Sequence, residues 1–336
     1  MRRWLVRVVI PLACVAGLAW TVSSLGPRRV LAAAMAADPR WLAASVGAVV
    51  LRFAVWTVKW RSMLQREGPF GWMDSARTLL VAAFVNLTTP TAKLAGGFVR
   101  AAMVRRRTSW RMARCYGWAF ADQFTNTLGN ILLNGVVCLG AIPAWPTLSE
   151  RNLLAILGLA SIVGVTVVVA LRGVAWRQAA RPGVARALAR LTPARFRAEG
   201  EAGPRAGWLE AMLAPLLHVG RTARVAPLDL GLAALSCSFL CVSNACTLKA
   251  LGLHVAILPA AAATILASFV GSIVTTPGGI GATELALIGL YGHLDVPAEA
   301  AATGALLHRA GYYLVILVAG GAALIGEGKW RRAQDA

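Results

Sequence analysis

Acidic side chains are scarce in this chain, with 14 Asp and Glu set against 34 Lys and Arg in 336 residues. Charge of either sign is scarce too, at 14% of residues, where a soluble domain carries about 25%. Histidine occurs only four times, and none of the six cysteines stands in a Cys-x-x-Cys pair. These shortages exclude a disordered chain, a coiled coil and an ordinary soluble enzyme, and no metal or disulfide framework emerges from the spacing. Catalytic signatures are missing as well: there is no Gly-x-Ser-x-Gly elbow, no His-Glu-x-x-His helix and no Walker loop. Pro277-Gly-Gly-Ile-Gly281 is glycine-rich, but no strand pattern precedes it, so it is not read as a nucleotide loop. A non-enzymatic protein without cofactor or metal is expected.

What the chain has is apolar surface, with 58% hydrophobic residues and a mean hydropathy of +0.64. A spanning helix needs about 20 mostly apolar residues, and such runs lie at roughly 8–25, 41–58, 117–140, 153–171, 229–248 and 299–325. The first follows Arg2, Arg3 and Arg7, and its Pro11 and Trp20 suit a retained anchor. The expected fold is all-α, a polytopic helical membrane protein forming one integral membrane domain over 1–336. The net charge of +20 falls between the apolar blocks, where membrane insertion concentrates Lys and Arg for orientation. It is therefore not read as a nucleic-acid surface.

Two further apolar regions are interrupted in the middle. Residues 78–104 contain Thr88-Thr-Pro90 and Gly96-Gly97, and residues 257–292 contain Thr275-Thr-Pro-Gly-Gly-Ile-Gly281. Proline removes a helical hydrogen bond and glycine weakens the helix, so each region should break into two short helices. If both are re-entrant hairpins and the N-terminus is inside, the inner segments hold 25 Lys and Arg and the outer segments five. Were the first region to cross instead, the cluster from Arg105 to Arg114 would lie outside, so charge favours the hairpin. Phe84-Val-Asn-Leu-Thr-Thr-Pro90 also echoes Phe269-Val-Gly-Ser-Ile-Val-Thr-Thr-Pro277. About six full spans plus two related hairpins dipping from opposite faces make an inverted repeat, the pattern of transporters whose sites lie at broken helices near the midplane.

Residues 172–227 form a basic cytoplasmic loop, in which Arg177, Arg181, Arg186 and Arg190 alternate with apolar residues as in an amphipathic helix. Such a stretch attracts anionic lipid, and it equally serves as a solvated, orientation-setting loop.

Ionisable groups within hydrocarbon are functional-site candidates by default. Arg100 and Glu284 each open the returning half of a broken helix. Arg100 beside the backbone N–H groups of Gly96 and Gly97 suits a phosphate, and Glu284 suits a cationic amine or a neutralising bridge to Arg100. The alternative is a permanent Arg100–Glu284 or Arg309–Glu284 bridge that only pins the hairpins. Asp122, Asn126, Asn130 and Asn134 recur at i+4 spacing, with Gln123 and Thr127 alongside. That polar stripe either glues helices together or lines a headgroup route. Arg309, with His308 and Tyr312, lies too deep in the last run for snorkelling, whereas Arg52 and Lys93 are read as snorkelling. Trp56 and Lys59, beside Arg52, are read as pointing to the inner interface.

At these residues the chain resembles the transmembrane domain of lysylphosphatidylglycerol synthases, a flippase-like family of membrane proteins. The resemblance covers roughly 40–330 and is carried by Thr276-Pro-Gly-Gly-Ile-Gly-Ala-Thr-Glu284, Pro90…Gly96-Gly-Phe-Val-Arg100-Ala and Arg309-Ala-Gly-Tyr312-Tyr. The chain departs from the family in its looser Pro90-Thr-Ala-Lys-Leu-Ala-Gly-Gly motif and in having Ala121-Asp122-Gln123 where an acidic-Arg pair is usual. The soluble aminoacyl-transferase domain that names the synthases is not expected here. The resemblance therefore implies the lipid-handling half, which moves modified phospholipid between leaflets in the full-length enzymes. The combined expectation is translocation of a phospholipid or lipid-linked glycan across a bacterial inner membrane, with both termini cytoplasmic. Arg100, Glu284, Arg309, Gly96, Gly97, Asp122, Asn126, Asn130, Pro277, Gly278, Gly279 and Gly281 are the expected substrate-binding residues. The rival expectation is a non-transporting accessory subunit whose basic loop docks a partner enzyme that modifies lipids or transfers sugars.

Overall fold

The computed structural model describes residues 2–89, 94–145, 147–179, 227–274 and 276–335, which are helical with no strand among them. The helices are α1 (Arg2–Leu25), α2 (Pro27–Met35), α3 (Pro39–Leu64), α4 (Trp72–Thr88), α5 (Leu94–Arg107), α6 (Met112–Ala141) and α7 (Leu148–Ala179). There follow α8 (Pro227–Ala250), α9 (Ile257–Ile273), α10 (Ala282–Gly292), α11 (Ala298–Val315) and, through a π turn at Ile316–Gly320, α12 (Gly321–Asp335).

Five helices among the described residues are long and apolar enough to cross a membrane: Pro39–Leu64, Arg114–Ala144, Leu148–Val167, Pro227–Ala250 and Ala298–Gly328. The protein is thus a polytopic all-α membrane protein. The run expected over 8–25 lies in α1, whose described apolar portion, Leu12–Leu25, is shorter than a full span. The helix α7 continues to Ala179, past the expected start of the basic loop at 172. Most of that loop, with Pro90 and Lys93, lies outside the described residues.

Helices α3 and α8 run antiparallel as the central pair. At one end Asp38 N–H donates to the Ala250 carbonyl (2.8 Å), and at the other Arg66 pairs with Asp229 (2.7 Å). Between them the Ser45 hydroxyl meets those of Ser243 and Thr247 at 2.9 and 3.0 Å. Small hydroxylated residues let two helix backbones approach closely and bond across the contact.

Both interrupted regions break into helix pairs. The pair α4 and α5 has 17 and 14 residues, and α9 and α10 have 17 and 11. At 1.5 Å rise per residue these helices are about 16–25 Å long, short of the roughly 30 Å of a hydrocarbon core. Asp74, in the first turn of α4, bonds Arg107, the last residue of α5, at 2.9 Å, so the first pair folds back on itself. In the second pair, Asn244 of α8 accepts from the Tyr291 hydroxyl near the end of α10. Its amide also donates to Thr264 of α9 (2.8 Å).

The two hairpins are rooted at opposite ends of the α3–α8 pair. Arg61 near the end of α3 donates to the Phe70 carbonyl just before α4 (3.2 Å), while Asn244 lies near the other end, at the close of α8. Their tips meet in between, where a Cβ on Gly278 would come within 2.4 Å of the Leu87 side chain.

Outside this framework the surface is apolar. Val50, Leu51, Val58, Ile156, Leu159, Val163, Leu235, Val242, Leu314 and Val318 are all exposed along the spans. Charged side chains such as Lys59, Arg100, Asp122, Glu284 and Arg309 are buried instead.

Candidate functional site

Where the hairpin tips converge on α3, α6, α8 and α11 there is a cavity of about 470 Å³. One wall is the α6 stripe, presented through Gln123, Asn126, Thr127 and Asn130. The hairpins contribute Asn86, Gly96, Gly97 and Arg100 on one side and Ser268, Ser272, Thr276, Gly278 and Gly279 on the other. Arg52 and Trp56 from α3 and Arg309 and Tyr312 from α11 complete the polar lining. Apolar side chains such as Leu79, Leu240, Ile265 and Ile316 make up the rest of the wall, and a pocket with a few convergent polar groups is the default ligand site of such a fold.

Behind one wall lies Asp122, fully buried. Its carboxylate pairs with Arg100 (2.7 Å) and Lys59 (3.0 Å) and accepts from the Trp56 indole N–H (3.0 Å) and the Asn126 amide (3.3 Å). Lys59 donates in turn to the Asn126 side-chain oxygen (2.6 Å). The Arg100 guanidinium also donates to the Ala119 carbonyl (3.0 Å) and stacks over Trp60, 4.2 Å from the ring centre. One carboxylate thus serves two cations, and hydrogen bonds fix all three groups.

Glu284 lies behind the opposite wall. One of its oxygens accepts from Gly281 N–H (2.8 Å), capping α10 at its N-terminus, where the helix dipole favours an anion. The other accepts from Arg309 Nε (3.1 Å) and the Tyr313 hydroxyl (3.0 Å). Arg309 also donates to Tyr313 (2.6 Å) and to the Gly278 carbonyl. That last bond requires the loop to turn sharply. Gly278 (φ 60°) and Gly281 (φ 85°) occupy the left-handed region, which a side chain strains and glycine does not.

The structure corrects the expected pairing. Arg100 is partnered by Asp122 and Glu284 by Arg309, so the anticipated Arg100–Glu284 pair does not form, while the alternative Arg309–Glu284 bridge does. Arg100 is the seventh residue of α5, too far along for the N-terminal dipole to act on it. Glu284 is buried with both oxygens engaged, and it faces the loop rather than the cavity, so it is not placed to take an amine. The Gly96 N–H already donates to Asn86 (2.9 Å). Gly96 serves packing, since a Cβ there would fall 2.4 Å from the Ala82 carbonyl oxygen, whereas a Cβ on Gly97 would meet open space.

Of the remaining expected residues, Arg309, Asn126, Asn130, Gly97, Gly278 and Gly279 line the cavity, and Pro277 and Gly281 do not. The stripe divides. Its central members face the cavity, while Asn134 bonds Ser161 of α7 (3.0 Å) as interhelical glue. His308 is buried against the Ser243 hydroxyl (3.3 Å), a packing contact.

Sequence reasoning missed the part played by α3. Arg52 was expected to snorkel and Lys59 to point to the inner interface, yet Arg52 lines the cavity and Lys59 is completely buried on Asp122. The available signal was their spacing with Trp56: positions i, i+4 and i+7 lie on one helical face, which here turns inward.

No curated protein matches the chain. The model of the lysylphosphatidylglycerol synthase TM region matches residues 4–320, spanning α1 to the π turn and so both hairpins and the whole cavity. The hairpin motifs, their buried charges and this match agree: the chain belongs to the lysylphosphatidylglycerol synthase TM region family.

Proposed function

We propose that the protein is a lipid translocator of a bacterial cytoplasmic membrane, with the cavity as the compartment through which a lipid headgroup passes. The carrying observation is a cavity with charged and amide side chains in its wall, held between two hairpins rooted at opposite ends of the bundle. A headgroup can cross hydrocarbon only where polar partners replace its water, and half-length helices bring backbone and side-chain partners to mid-depth. In this reading Arg100 engages the headgroup phosphate, and the Arg309–Glu284 bridge holds the second wall. Asn126 and Asn130 line the route. The hairpins are re-entrant in the bilayer, both termini are cytoplasmic, and the chain acts without chemical turnover of the lipid.

The test is leaflet-resolved transfer in proteoliposomes with fluorescent phosphatidylglycerol and a lipid-linked sugar. It compares wild type with Arg100→Ala and Glu284→Gln after each is shown to elute as a monodisperse species. Transfer well above protein-free vesicles in wild type, reduced about tenfold or more in both variants, is the expected result. Background-level transfer of both lipids by all three folded proteins would overturn it. The accessory-subunit reading would then stand, with its partner enzyme docked on the basic loop.

A further inference from the structure

The charges around the cavity do not balance. Arg52, Lys59, Arg100 and Arg309 face or back it, and the carboxylates among them are Asp122 and Glu284. Asp122 is divided between Lys59 and Arg100, and Glu284 is taken by Arg309. Among the described residues Arg52 has no carboxylate: its guanidinium makes a long 3.5 Å bond to the Ser236 carbonyl, with the Tyr312 ring 6.0 Å away. Both carboxylates lie outside the lining, so among the described residues the charges that face the cavity are three arginines and no acid.

The unpartnered polar atoms fall in the same place. Among the described residues, Arg52 Nε, Arg100 Nε and Thr276 Oγ1 are the buried side-chain polar atoms without a hydrogen-bond partner, and all three residues line this cavity. Arg100 is 3% exposed and Thr276 7%. A buried donor left unmade is costly, and a surplus of buried cations is costlier still. Both costs are removed by one ligand that brings negative charge and several acceptor oxygens. Guanidinium groups and a hydroxyl suit phosphate oxygens in particular.

We propose that the cavity selects a lipid headgroup bearing a phosphate dianion, a monoester or a diphosphate, over zwitterionic and cationic headgroups. The inference rests on reading the cavity as a headgroup compartment, and it adds the substrate class. Two negative charges offset the two that Asp122 and Glu284 leave uncompensated. A cationic aminoacylated headgroup would add to the surplus. Arg52 becomes the specificity-determining residue, because it is the arginine of the lining without a carboxylate behind it.

The experiment is calorimetric titration of the purified full chain in detergent at pH 8, where a phosphomonoester is doubly charged. The probes are short-chain phosphatidic acid, phosphatidylglycerol, phosphatidylcholine and lysylphosphatidylglycerol, with glycerol 3-phosphate as the tail-less control. Phosphatidic acid should bind about tenfold more tightly than phosphatidylglycerol, and phosphatidylcholine and lysylphosphatidylglycerol more weakly than either. Arg52→Gln should weaken both anionic lipids and phosphatidic acid the more, so that the preference for it is lost, and Arg52→Lys should keep that preference in part. Thr276→Val, nearly isosteric, should lower phosphatidic acid affinity about threefold and carries the test if Arg52→Gln does not fold.

Equal affinities across the charge series, or preference for phosphatidylcholine or lysylphosphatidylglycerol, would overturn the proposal. Glycerol 3-phosphate binding as tightly as phosphatidic acid would assign the site to soluble phosphate and overturn its lipid source. Failure here is separable from failure of translocation. Transfer of every lipid regardless of charge leaves the translocator standing without this selectivity. Selective binding without transfer does the reverse.

Discussion

Asp122 shows how much a single residue can hold in place when hydrocarbon surrounds it. Its carboxylate is bonded to Lys59, Arg100, Trp56 and Asn126, from three different helices. Removing the charge leaves two buried cations facing each other, and breaking a buried pair typically costs about 3–5 kcal/mol. Asp122→Asn, which keeps the shape, should therefore lower the thermal unfolding midpoint in a fixed detergent sharply. Asn126→Ala, which removes only hydrogen bonds, should cost about 1 kcal/mol per bond lost. Equal midpoints for wild type and Asp122→Asn would mean that the pairs do not hold the helices together. At this scale the sequence was informative about which residues matter and poor on their partners. Arg100, Asp122, Glu284 and Arg309 stand out because charge in an apolar run is rare. Which carboxylate meets which guanidinium depends on how each hairpin packs on the helix that follows it, Arg100 on Asp122 and Glu284 on Arg309, and no spacing encodes that.

Within an element, the hairpins are shaped as much by missing side chains as by those present. Gly96 lets α5 lie against α4, with its N–H on Asn86 and no room for a Cβ beside the Ala82 carbonyl. Gly96→Ala should force the two helices apart and destabilise the protein by about 1–3 kcal/mol, the usual cost of overpacking. Gly97→Ala, one position on and facing open space, should be close to neutral. Thermal unfolding of the two variants side by side checks the contrast; since Ala is the better helix former at both positions, similar losses in both would mean that the close contact at Gly96 is not what decides. The breaks themselves were legible, because Pro and Gly inside apolar runs leave few alternatives. The inward face of α3 was not. An Arg or Lys near a helix end reads as a residue that reaches for the interface, and only the position of α6 shows that Lys59 reaches inward.

For the whole molecule, the charge asymmetry predicts sidedness. Residues 1–7, 59–77 and 105–114 carry 12 Lys and Arg, and the structure places the ends of α3 and α5 near each other through Arg61–Phe70 and Arg107–Asp74. Arg107 lies at that end. Burial works against its charge, but the hydrogen bonds it donates to Glu327 and Asp74 hold its pKa above the ordinary value. The opposite end is marked by the exposed Met35 of α2 and by Arg29–Glu299 (2.9 Å). In cysteine-free background, Met35→Cys should react with an impermeant maleimide added to intact cells, and Gln65→Cys should react only after the membrane is opened. The reverse pattern would invert the topology.

The exposed belt of Val50, Leu51, Val58, Ile156, Leu159 and Val163, wrapped around a core that contains Lys59, Asp122 and Glu284, makes this protein inside-out relative to a soluble one. Its outer surface is chemically generic: any amphiphile that covers a band of about 30 Å satisfies it. Fold identity resides in the buried ion pairs and hydrogen bonds, which surfactant cannot imitate. Exchange of one amphiphile for another is thus a change of coat, and the choice of surfactant is freest where its chains meet only aliphatic side chains.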